Sequence, residues 1–196
     1  MLCLPGAARG VGEIEPHPEL PQGECEGTWH KPRVIVPFDR RNVVRRPEGD
    51  RGPYTGFNVQ KLFREARRRR GIYAEGYVQD RPSVYKATFL FTGEVENRLD
   101  RLRSITEFPA NIRGLETCYS IGQLERIQDL VGDGLRGEKE PDPPIRGRVE
   151  FTEIKVQANR VLVALRRFRR SDKEMIEARY GPAVRVIRGD HRVVPE

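Results

Sequence analysis

The side chains best equipped for chemistry are few, three histidines and three cysteines in 196 residues. His17, Cys25 and His30 stand near one another and are residue types that bind zinc. Their spacing fits no common zinc pattern, and the segment around them is rich in Pro and Gly. The cysteines, Cys3, Cys25 and Cys118, lie far apart, and an odd number cannot form a closed disulfide set. By pattern Cys118 falls on a strand beside Tyr119, where a buried, inert thiol is expected. His191 follows the last apolar segment, and Gly189-Asp190-His191 has no serine beside it. No nucleophile, base and orienting acid are brought together. No Gly-x-x-x-x-Gly-Lys phosphate loop occurs. Glu96 and Asp100, at i and i+4, share one helix face and read as solvated surface. The expectation is a protein that is not an enzyme, with no cofactor and no metal.

Charge offers a different kind of chemistry. The chain has 36 Lys+Arg against 29 Asp+Glu, a net +7. Residues 40–70 hold eleven basic and three acidic side chains, so this stretch supplies the whole excess. Its candidate contact residues for a polyanion or another partner are Arg40, Arg41, Arg45, Arg46, Arg64, Arg67, Arg68, Arg69 and Arg70. No zinc-finger, RNP or helix-turn-helix signature accompanies them. Basic residues are mostly Arg, 30 against 6 Lys, a bias that GC-rich coding produces as readily as phosphate recognition.

The elements that must position these groups begin at Asn58. Residues 1–57 carry many prolines and little periodicity and read as an irregular Pro/Gly-rich tail, with Val34-Ile35-Val36 a short strand at most. Asn58 suits an N-cap, and Val59, Leu62, Phe63 and Ala66 follow at helical spacing up to Arg67–Arg70, with Gly71 as the C-cap. Strands are expected at 72–79 and 84–91. A helix then carries Val95, Leu99 and Leu102 inward, and a third strand spans 112–119. Ser120 with Gln123 forms a capping box for a helix that Gly132, Gly134 and Gly137 close. Residues 136–148 are a linker by composition. The order then recurs: a strand at 149–156 with an apolar parity shift between Phe151 and Ile154 that hints at a bulge, a turn at Ala158-Asn159, a strand at 160–166, a helix capped by Ser171 with Glu174, and a strand at 183–187. The pattern is α+β: two small strand-strand-helix-strand repeats, antiparallel sheets with helices on one face, at 58–135 and 149–196. No apolar run approaches the ~18 residues of a membrane span. No signal peptide is visible in the sequence as given.

The punctuation of this repeat resembles a known group. Phe91-Thr92-Gly93 before a helix, Tyr119-Ser120 with Leu124 before another, Asn159-Arg160-Val161 with Val163 on a returning strand, and Tyr180-Gly181 leading to Ala183-Val184-Arg185-Val186 are together similar to the pro-region of alpha-lytic protease and streptogrisin precursors and to stand-alone bacterial proteins of the same repeats. The resemblance covers roughly 72–189. It implies a secreted or envelope setting and a region that assists folding of a chymotrypsin-like protease and inhibits it. No functional residue transfers. The expected function is a non-catalytic bacterial protein-binding module, monomeric, whose partner is another protein. The alternative is nucleic-acid or polyanion binding through 40–70. A fragment of residues 58–196 is expected to fold alone.

Overall fold

Asn58 caps the first helix through its side chain, which accepts the backbone N–H of Lys61 at 2.9 Å, and α1 spans Val59–Arg67. The computed structural model describes residues 14–21, 23, 31–45, 58–68, 71–81, 84–136 and 141–189. α1 ends at Arg67 with Arg68 as its cap, earlier than the Arg run suggests; Arg69 and Arg70 lie outside the described residues.

Two hairpins organise the rest. Tyr73–Arg81 (β2) pairs antiparallel with Val84–Phe91 (β3). The helix Val95–Arg103 (α2) follows, and Ile112–Glu116 (β4) then lies parallel to β3. After a long helix, Ile121–Arg136 (α3), the order recurs: Val149–Lys155 (β5) pairs antiparallel with Arg160–Leu165 (β6), Arg170–Tyr180 (α4) crosses back, and Val184–Arg188 (β7) lies parallel to β6. Each sheet is therefore mixed, which corrects the antiparallel expectation. In each unit a helix returns the chain along the sheet, so the third strand enters in the direction of the second. The chain is α+β.

Arg33–Val36, inside the stretch read as an irregular tail, forms a strand (β1) antiparallel to β4. The sheet orders are β1-β4-β3-β2 and β5-β6-β7. Pro32 and Pro37 bound β1, as befits a short edge strand.

Alternation places Ala87, Phe89 and Phe91 on one face of the first sheet, packed against Leu62 and Ala66 of α1 and Val95, Leu99 and Leu102 of α2. In the second sheet Val161, Val163 and Leu165 pack against Leu124, Ile127 and Val131 of α3 and Ile176 and Tyr180 of α4. α3, grouped with the first unit by sequence, thus packs on the second sheet. A small third cluster joins the units: Ala74, Leu90 and Leu115, on the first sheet, meet Val156 from the 3-10 turn Val156–Ala158.

The caps divide. Ser120 and Gln123 form the reciprocal box, with Ser120 N–H donating to Gln123 Oε1 at 2.7 Å and Gln123 N–H to Ser120 Oγ at 3.3 Å. Ser171 instead sits inside α4, whose N-cap, Arg169, makes no side-chain cap bond. α3 runs through Gly132 and Gly134 rather than stopping there.

The outer sheet edges are partly occupied. Val161 N–H donates to Ala183 O and Gly189 N–H to Leu165 O, so Val184 and Val186 direct their N–H groups outward from β7. Val184 N–H reaches Gly181 O at 3.1 Å, and Val186 N–H reaches the Glu177 carboxylate at 3.0 Å. On β5, Thr152 O accepts from the Gln128 side chain at 3.0 Å. Such contacts discourage unplanned strand pairing.

Candidate anion-binding surface

The structure divides the Arg-rich stretch in two. At the C-terminal end of α1, Arg67 and the cap residue Arg68 face carboxylates. Arg68 pairs with Glu65 at 2.9 Å, and Arg67 lies 3.4 Å from Glu75. Glu75 sits at a register shift in β2 with φ 132, a backbone region rare outside glycine. That conformation turns its carboxylate onto the phenol of buried Tyr73 at 2.7 Å and onto Arg67. Burial and then the bond to Glu75 push the Tyr73 phenol well above its ordinary value, while Glu75 raises Arg67 in turn. Arg101 of α2 also binds Glu65 and holds its carboxyl below the usual range. Arg64 is exposed on the same helix.

The second half is the segment 38–45. It crosses the start of β4, where buried Asn111 clamps it. Asn111 Oδ1 accepts Val44 N–H at 2.9 Å, and its amide donates to Val44 O at 3.0 Å and to Tyr85 O at 2.8 Å. A turn at Asp39 presents Arg40 and Arg41. Asn42 and the Arg41 N–H bind the Asp39 carboxylate and keep its pKa low. Phe38 lies against two cations on the strands, Lys86 Nζ at 4.9 Å and the Arg113 guanidinium at 4.8 Å from the ring centre. Arg113 also donates to Thr88 Oγ1 at 2.9 Å and Tyr77 Oη at 3.2 Å. Among the described residues no carboxylate lies within salt-bridge distance of Arg40, Arg41, Lys86 or Arg113.

Lys86, Thr88 and Arg113 share the sheet face opposite α1 and α2, because they alternate with Ala87, Phe89 and Ile112 of the core. Lys86 and Arg113 were absent from the sequence-derived candidates. Single cations on separate strands carry no local signal; only the register of β3 with β4 brings them together. Arg45 is exposed and has an interaction of its own, whereas Arg46, Arg69 and Arg70 lie outside the described residues.

Among the described residues the groups weighed for catalysis are dispersed. His17 stacks on Tyr180, ring centres 5.9 Å apart, and its backbone N–H donates to Arg179 O. His30 and His191 lie outside the described residues. Cys118 is disulfide-bonded, which corrects the reading of it as an inert thiol; Cys3 and Cys25, the other two cysteines, are both outside the described residues. Glu96 and Asp100 are exposed on α2. Gly132, Gly134 and Gly137 have the Gly-x-Gly-x-x-Gly spacing of a dinucleotide loop, but the first two lie inside α3 instead of between a strand and a helix start. Among the described residues no group of three or more His, Cys, Asp or Glu side chains is arranged to hold a metal ion, and no helix is long and apolar enough to cross a membrane. No protein-family model matches the chain, and no curated protein matches it.

Proposed function

We propose that this protein is a non-catalytic protein-binding module of the protease pro-region type, with a folding-assistant or inhibitor-like role. The observation that carries the reading is the common build of the two units, hairpin, helix and third strand parallel to the second, which suits the repeat that the resemblance implies. The disulfide at Cys118 favours the secreted or envelope setting, since disulfides persist in oxidising compartments. The test is direct. The full chain, mixed with a chymotrypsin-like bacterial protease, is expected to form a complex at about 10 µM and to slow peptide hydrolysis. It should hydrolyse neither peptide nor ester by itself. Absence of a complex in size-exclusion and inhibition assays would overturn the reading.

A second reading, polyanion binding, is favoured by the cations around Phe38, which among the described residues face no carboxylate. Binding to a random duplex should then weaken steeply with salt, and Lys86→Gln with Arg113→Gln should flatten the slope by about two counterions. Arg67→Gln should change it less, because Arg67 already faces Glu75. The opposite ranking of these variants returns the surface to α1.

A further inference from the structure

Between α1 and α2 lies a cavity of about 220 Å³, lined by Glu65, Ala66, Arg68, Phe91, Arg98, Arg101 and Leu102. Its walls gather three guanidinium groups on a floor of Phe91 and Leu102. We propose that this cavity binds a small phosphomonoester, its phosphate on Arg68, Arg98 and Arg101 and its organic group on the apolar floor.

The donor inventory carries the argument. A guanidinium has five N–H donors. Here the carboxylates engage one nitrogen of each: Arg101 Nε and Arg68 Nη1 on Glu65, and Arg98 Nη2 on Glu94 at 2.6 Å. Arg98 is only 19% exposed, so its guanidinium is held in the wall of the cavity. The guanidinium nitrogens that these carboxylates leave are the donors offered to an anion there. Glu65, 14% exposed, holds Arg68 and Arg101 in place from opposite helices, so the forks are fixed before a ligand arrives. With three cations and two carboxylates the cluster stays net positive. Planar forks suit the oxygens of phosphate. This proposal does not rest on the pro-region reading or on the surface around Phe38.

Phenyl phosphate is the probe, titrated into the full chain by calorimetry at constant ionic strength, with inorganic phosphate, benzoate and phenol as separate arms. Phenyl phosphate should saturate below about 10 mM and bind more tightly than inorganic phosphate, and phenol should not bind. Arg98→Gln and Arg101→Gln should each weaken it about tenfold or more, whereas Arg126→Gln, on α3, should leave it unchanged. Circular dichroism checks that the variants fold. Should Arg98→Gln fail to fold, Arg101→Lys, at an exposed position, keeps the charge but removes the fork and should still weaken binding several-fold. Absence of saturation, equal affinity for benzoate, or unchanged affinity in the Arg101 variants would each overturn the assignment.

Discussion

Two buried asparagines do the work of strand pairs. Asn111 reproduces a backbone bridge to Val44, and Asn159 does the same for Tyr119, accepting its N–H at 2.9 Å and donating to its O at 2.7 Å. Asn159 also sits in the left-handed region, φ 50, so one residue both turns the hairpin and clamps the segment entering α3. Asn159→Gly keeps that backbone freedom while removing the clamp, so it isolates the side chain's part. It should destabilise the protein by about 2–4 kcal/mol in urea unfolding, since it strands two buried backbone groups. A loss below ~0.5 kcal/mol would make Asn159 a turn residue only. Tyr180 titration gives a second residue-scale test. Burial, then the Asp142 carboxylate, push its phenol up to about 12 from 10.0. The folded state thus keeps this proton longer than the unfolded chain does. Its stabilisation is complete below pH 10 and is lost as pH rises through the folded value. The urea midpoint should fall over that alkaline window, and Tyr180→Phe should fall less steeply there, although it starts lower for want of the 2.6 Å bond to Asp142 O. Parallel slopes for the two proteins would exclude Tyr180 as a source of the alkaline loss.

At the scale of elements, the glycines of α3 separate two effects that look alike in sequence. A Cβ on Gly132 meets nothing within 4 Å, whereas one on Gly134 would lie 1.9 Å from Tyr180 Oη. Tyr180 is buried and tied to Asp142 O, so it cannot swing aside. Gly132→Ala should stabilise by about 0.5–1 kcal/mol through helix propensity, and Gly134→Ala should destabilise by about 1–3 kcal/mol through overpacking. Thermal unfolding of both variants decides it; equal shifts would mean that α4 does not press on α3. The same pair shows what was legible. Signals confined to a few residues were readable: the Asn58 cap, the Ser120/Gln123 box, and the alternation of Phe89 and Phe91. Gly132 and Gly134 read together as a helix stop because the reason for Gly134, close approach of Tyr180, lies 46 positions along the chain. The bulge was expected between Phe151 and Ile154 and lies between Val149 and Phe151, a shift that only pairing with β6 defines. Of the basic surface, the Arg-rich stretch was visible, but neither the carboxylates that occupy α1 nor the strand cations Lys86 and Arg113 were.

For the whole molecule, the N-terminal residues change from tail to brace. β1 covers the edge of β4. Leu20 packs on the second core, His17 N–H bonds Arg179 O, and Arg179 donates to Glu15 O at 2.8 Å. Gly23 lies so close to the Tyr119 ring that a Cβ there would sit 2.8 Å from it, and the neighbouring Cys118 is disulfide-bonded. A fragment of residues 58–196 removes all of these at once. It also removes both remaining cysteines, so Cys118 loses its intramolecular partner. Losing a disulfide typically takes away about 2–5 kcal/mol, a large part of the stability of a domain this size. The fragment also exposes the hydrogen-bonding edge of β4 beside Leu115, a template for pairing with a second copy. It should therefore unfold at much lower urea than the full chain and self-associate as concentration rises. Reducing the full chain should give an intermediate stability, because β1 and Leu20 stay in place. A fragment as stable as the full chain, and monomeric by light scattering, would show that the N-terminal residues brace nothing.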